Sequence, residues 1–405
     1  MKRILSLLTA LILLLPLFPA AAEDGTPVAY LYTFESGTAL EGEGSVVLRE
    51  LLDAIQIRMT RQKQDRDHLY LIELISEGKT AFSLLAQDMN DGNYGLICSL
   101  LGKNQLKLRK DQITDFLRTL VQVLADLNVL KGESLEKVDG LAVRGGNLLA
   151  RLVSSADADR EEELNGLDLT PYLTIMTRYA TEAEHRTTDP ENPECPGATG
   201  VWYYKLAEQD LSAMVDSALN KLASIPVIND ELKSGRLRIG GQVITDEFLR
   251  TLFGAMHGET TLEICEDGDG QILMVTLRIP ELKVLMEEPE LKGMITDPEF
   301  ARISGLRIRI DREKGPEPEN LKSDSRIEIL GLDQTLVGIR LERMKGEPIR
   351  VPEIREVHEV GDMDSAELWD TLKSMWATIL FHAADFVLDL PRCVFDLIIG
   401  KFKIF

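Results

Sequence analysis

The residues best suited to chemistry in this 405-residue chain are five histidines and four cysteines. His68, His185, His257, His358 and His382 are scattered, and no two of them stand at zinc-ligand spacing. A hydrolase built on one of them would need the fold to bring it against a carboxylate or hydroxyl. The nearest approach to a metal cluster is Glu184, His185, Asp189, Glu191, Glu194 and Cys195, in or beside a proline-rich stretch. These read as solvated loop charges. Glu266-Asp267-Gly268-Asp269-Gly270 and residues 88–93 resemble calcium loops only superficially: neither has oxygen ligands at every alternate position or a closing glutamate. Asp-Gly between strands is turn chemistry. Cys98, Cys195, Cys265 and Cys393 form an even set with three complete pairings. Cys98 and Cys265 fall in expected strands, and Cys195 is expected to be exposed, with no neighbour to activate it. There is no dinucleotide or phosphate loop, HExxH, CxxC or GxSxG. No catalytic residue, metal site or cofactor is therefore assigned, and an enzyme is the less favoured class.

Two apolar sets remain as binding candidates. Val275, Leu277, Ile308 and Ile339 share the apolar face of an expected sheet. A gap between that face and its covering helices would suit an apolar or lipid-like ligand. Near the C-terminus, Leu368, Leu372, Met375, Ile379, Ala383, Phe386 and Leu390 recur every three or four residues, which places them on one helix face. This helix either completes the core or meets a membrane surface or protein partner, with Trp369, Trp376, Ile379 and Phe386 as the contact residues. Its longest uncharged run, Ser374–Ala384, has 11 residues, too few to span a bilayer. The segment 364–405 carries six acids and four bases, so anionic lipid would not be drawn to it by charge.

The elements that must position these residues give an α+β protein of two lobes, with antiparallel meander sheets covered by helices and a C-terminal amphipathic apolar helix. Residues 1–22 read as a secretory signal: Lys2-Arg3, an apolar run to Phe18, then Ala20-Ala21-Ala22 with cleavage after Ala22. The chain is thus expected to act in secreted or extracytoplasmic form. An N-terminal lobe is expected over 23–186, a linker over 187–200 (three prolines from Thr187 to Gly197), a second lobe over 201–350, and an acidic connector with the C-terminal helix over 351–405.

In the first lobe, helices are expected over 45–62, 114–130, 135–153 and 169–183, with strands at 69–75, 81–86, 94–101 and 105–109. Asn90-Asp91-Gly92 is a hairpin turn. In the second, a strand at 201–206 and helices at 210–225 and 245–256 precede five strands whose apolar positions alternate with Glu263, Thr276, Arg278, Arg307, Arg309, Glu328, Arg340 and Glu342. One buried and one wet face are expected, the wet one locally basic. Gln105–Leu120 and Arg236–Leu252 share nine identities across one inserted residue, consistent with a duplicated strand–cap–helix unit.

With 67 acidic and 45 basic residues the formal charge is −22, which repels phosphate and argues against a nucleic-acid partner. The favoured function is a non-catalytic binding or interaction protein outside the cytoplasm. Its rivals are an extracellular hydrolase and a membrane-surface structural component.

Overall fold

The computed structural model describes residues 26–37, 50–126, 170–206, 213–220, 242–254, 259–282, 300–312 and 323–391, apart from single residues and pairs within these spans, plus isolated positions elsewhere. Residues 1–25, which include the expected secretory signal, and residues 392–405 lie outside them, as does nearly all of the helix expected over 135–153.

The fold is α+β. In chain order the strands are β1 Val28–Ser36, β2 Ile55–Gln64, β3 Asp67–Ser76, β4 Lys79–Asp88, β5 Asn93–Cys98, β6 Asn104–Arg109, β7 Ala180–Thr187, β8 Gly200–Leu206, β9 Arg238–Ile239, β10 Gln242–Val243, β11 Thr260–Glu266, β12 Ile272–Arg278, β13 Gly305–Arg312, β14 Ser323–Gly331, β15 Gln334–Lys345 and β16 Glu356–Glu359. The helices used below are α1 Ile113–Asp126, α2 Thr170–Arg178, α3 Asp246–Gly254, α4 Ser365–Ser374 and α5 Trp376–Leu388. The described residues divide into two compact units, one with those of 26–32, 54–126 and 343–391, the other with those of 33–37, 50–53 and 170–342.

In the first unit the strands run β16–β6–β5–β4–β3–β2 and on to residues 28–32 of β1. The consecutive pairs from β2 to β6 are antiparallel and β16 joins β6 in parallel. The turn expected at Asn90-Asp91-Gly92 falls between β4 and β5; Asn90 and Asp91 lie outside the described residues, while Gly92 stands at φ +80° and Met89 N donates to Asn93 O at 3.0 Å. One face of these strands buries Tyr70, Ala86, Tyr94, Leu96, Leu106 and Leu108 against Phe116 and Val123 of α1 and Leu368 of α4. Helix α4 starts from a capping box: Asp364 accepts from the Ala366 and Glu367 amides, and Glu367 accepts from the Asp364 amide.

The second unit runs from residues 33–36 of β1 through β15–β14–β13–β12–β11–β8–β7. The five expected strands are β11 to β15, adjacent in chain order, and β8 and β7 extend them. Leu206, Met214, Val215, Leu219, Phe248 and Leu252 form its largest buried cluster, so residues 213–220 and α3 cover this face. The echoed sequences fall one in each unit, and both copies bury the same positions: Ile113 and Phe116 in one, Ile244 and Phe248 in the other.

Four expectations are corrected. The helix expected over 45–62 gives way to β2 from Ile55, because Ile55, Ile57 and Met59 also satisfy a period of two and pair with β3 over ten positions. The helix expected to reach residue 183 ends at Arg178, and the helix-forming run Ala180–Thr187 is held extended by its ladder to β8. The stretch 188–199 connects two paired strands, folded on itself by Cys195 N to Asn192 O at 3.2 Å and Gly197 N to Pro190 O at 2.8 Å. Cys195, expected to be exposed, is buried in it.

The fourth correction concerns the wet face. Thr276 is 1% exposed and Glu328 is buried, and Arg307 pairs with Glu328, its register partner, at 3.7 Å. Arg309 donates to the Glu194 carbonyl, and Arg340 pairs with Glu342 at 3.1 Å. In place of an open basic face, Arg307, Arg309 and Arg340 are bound to carboxylates or a carbonyl.

Candidate functional site

Helix α5 carries the most apolar exposed surface among the described residues. Trp376 is 44% exposed, Leu380 52%, Phe381 67% and Leu388 73%. Trp376, Leu380, Ala384 and Leu388 repeat every four residues, a stripe about 18 Å long at the helical rise. The opposite side is packed: Ile379 lies against the core of its unit, and Phe386 meets Phe82 of β4. Gly102, at φ +62°, lets α5 approach so closely that an added Cβ would stand 2.9 Å from Thr378 Cγ2. Trp369 packs on the core and presents an edge contact to Trp376 at 5.7 Å, while Lys373 stands 5.2 Å over the Trp369 ring. The orientation of Trp376 therefore depends on a side chain anchored from below.

Of the four residues expected at this surface, Trp376 points out, while Trp369, Ile379 and Phe386 face the body. Leu380, Phe381 and Leu388 are the exposed residues that sequence reasoning missed. Their signal was present: positions 380, 384 and 388 follow Trp376 at the helical repeat, but a helix apolar all round does not say which side is covered. No helix among the described residues is long and apolar enough to cross a membrane.

The sheet candidates are dispersed. Val275 and Ile308 are register partners, but Val275 is buried with Leu173, Leu262 and Ile264, and Met176 of α2 packs on that group. Leu277 packs against the cluster that includes Phe248 and Leu252. Ile308 is half-buried and Ile339 is buried in β15. At Val275 and Leu277, helix side chains occupy the ground an apolar ligand would need.

One histidine meets a carboxylate closely: His185 Nε2 stands 3.2 Å from Glu266 Oε1, with its ring 4.5 Å from that of Trp202. Gly200 makes room for this contact, since a Cβ there would lie 2.6 Å from His185 Nε2. His358 Nε2 lies 3.6 Å from Glu356 Oε2, His68 stacks on Tyr70, and His382 lies over Gly102. His257 lies outside the described residues.

A polar cleft of about 740 Å³ opens beside β6 and β16, lined by Lys107, Arg109, Gln112, Glu359 and Asp362. Its charges satisfy one another: Lys107 with Glu359 at 3.4 Å, Arg109 with Asp362 at 3.9 Å, and the Gln112 amide with Asp362. Among the described residues no group of three or more metal-ligating side chains is gathered. The chain matches no protein-family model, no curated protein and no solved structure.

Proposed function

We propose that this protein works outside the cytoplasm as a non-catalytic interaction protein, held at a lipid surface through the outward face of α5. In this reading two lobes of sheet and covering helices form a soluble body, and the C-terminal helix is its foot. The observation that carries it is the stripe of Trp376, Leu380, Phe381 and Leu388, exposed on a helix whose other face is packed.

A lipid surface fits this stripe better than a water-facing role does. The helix has 13 residues, about 20 Å, too short to span but suited to lie in the interface plane. Trp376 has the amphipathic ring that settles at the headgroup level. From Trp376 to Ala384 no charged residue interrupts the stripe. Beyond Pro391 the sequence continues apolar through Val394-Phe395, Leu397-Ile398-Ile399 and Ile404-Phe405. It carries three bases (Arg392, Lys401, Lys403) against one acid (Asp396). Binding by this face rests on apolar burial, with charge secondary.

The test is flotation of the signal-less protein with phosphatidylcholine vesicles, with and without phosphatidylglycerol, beside a Leu380→Gln, Phe381→Ser, Leu388→Ser variant. Substitution is preferable to truncation, because cutting before α4 would strip Leu368 and Met375 from the core. The parent should float on both vesicles and the variant should stay behind with an unchanged melting temperature. Equal behaviour of the two would defeat the reading, as would a parent that dimerises through this face and ignores lipid.

A further inference from the structure

We propose that Cys195 and Cys265 form a disulfide that clamps the 188–199 connection onto β11. Sequence alone leaves three complete pairings of the four cysteines open; the fold brings these two together. They are buried in one cluster with Ala198, Val201 and Met274, at 3% and 0% exposure, and their thiols stand near enough to act on each other.

The backbone around them is held by hydrogen bonds that keep the connection against β11. Cys265, Met274 and Arg309 form one row across β11, β12 and β13. The connection lies along that row and is tied at both ends. Thr199 N donates to Glu266 O at 2.9 Å, next to Cys265, and Arg309 Nη2 donates to Glu194 O at 3.3 Å, next to Cys195. Turns at Asn192–Cys195 and Cys195–Ala198 fix the direction in which Cys195 enters.

The chemistry is thiol–disulfide exchange. A disulfide-form oxidant of the compartment accepts one protein thiolate, giving a mixed disulfide and releasing one of its own thiols. The second protein thiolate then displaces the other, so two protein thiols lose two protons and two electrons and the oxidant leaves as dithiol. In the folded, reduced protein this is slow. The Cys195 thiol, burial and the nearby Glu263 carboxylate all push the Cys265 thiol up, away from thiolate. The bond therefore forms as the connection folds down. Once made, it is shielded from soluble reductants.

The proposal is independent of the lipid reading. Its test is protein taken from an oxidising compartment, alkylated in denaturant without reductant, and mapped by mass spectrometry. The expected result is a Cys195–Cys265 linked peptide and a chain about 2 Da lighter than the fully reduced form. Native protein should keep the bond in dithiothreitol and lose it once denaturant is added. Because export can fail, the purified reduced chain is also refolded with oxidised glutathione, which should give the same link. Melting temperature should fall by roughly 5–10 °C when the parent is reduced. A Cys195→Ser, Cys265→Ser chain should show no such response. Both thiols labelled in each preparation, or a link from either to Cys98 or Cys393, would overturn the proposal.

Discussion

The ring of Phe386 meets that of Phe82 edge-on, with centroids 6.2 Å apart and planes at 72°. This contact seats the far end of α5 on β4, and it separates the packed side of the helix from the exposed one. Phe386→Ala should cost about 1–3 kcal/mol, from lost burial and the lost aromatic pair. Leu388→Ser, two residues on, should cost less than about 0.5 kcal/mol. Urea unfolding of both variants checks the contrast, and equal losses would mean that α5 is packed on both sides.

Gly102 is the second support of that seat. At φ +62° its Cβ would lie 2.9 Å from Thr378 Cγ2 and 3.2 Å from His382 Nε2. Gly102→Ala should destabilise by roughly 1–3 kcal/mol through backbone strain and the clash together. Thr378→Ser removes the clashing methyl, so in the Gly102→Ala background it should recover the steric part of that loss. Thermal melts of the two singles and the double measure the coupling directly.

Arg58 and Glu73 are cross-strand partners in β2 and β3, joined by Nε–Oε2 at 2.6 Å and Nη2–Oε1 at 3.0 Å. Thr80 adds a third bond to the same carboxylate, from Oγ1 to Oε1 at 3.2 Å. Glu73 is buried while Arg58 keeps contact with water. Removing the carboxylate therefore leaves a guanidinium that can still be hydrated in part. Glu73→Ala should cost about 1–3 kcal/mol, and Arg58→Met with Glu73→Leu less than the single change. A double-mutant cycle decides it.

Alkaline pH should unfold the protein through β1. Burial raises the phenols of Tyr30 and Tyr32 above their ordinary value of about 10, and Arg343 and Arg61 only partly offset this for Tyr30. Above that value the unfolded chain loses these protons while the folded one keeps them. Stability is thus fully present below about pH 10 and falls as pH rises beyond it, steepening toward about 1.4 kcal/mol per pH unit for each tyrosine. Tyr32→Phe should flatten the alkaline limb. Circular dichroism across that range checks it, and an unchanged limb would remove Tyr32 as the cause.

The α+β class, the strands at β3 to β6 and β11 to β15, and the hairpin at Gly92 were legible in the sequence. Each rests on a local period or a turn residue with positive φ. The two misread helices show where local rules lose. Ile55–Gln64 fits both periods, and only the presence of β3 beside it selects the strand. Ala180–Thr187 is made of helix formers, and the ladder to β8 overrides them. The periodicity around Trp376 announced an apolar helix and could not tell its inner side from its outer one, because that depends on where Phe82 and Gly102 stand.

By itself, then, the sequence determined the pattern of alternating and helical segments, the acidic balance, and the absence of familiar catalytic motifs. Tertiary structure decided everything that depends on residues far apart in the chain. It brought Cys195 and Cys265 into one buried cluster, put Glu328 under Arg307, and left Leu380 and Phe381 in water while Phe386 turned onto Phe82. The reason is physical: local periodicity reports what a segment can bury, and only long-range packing settles which of its faces is covered.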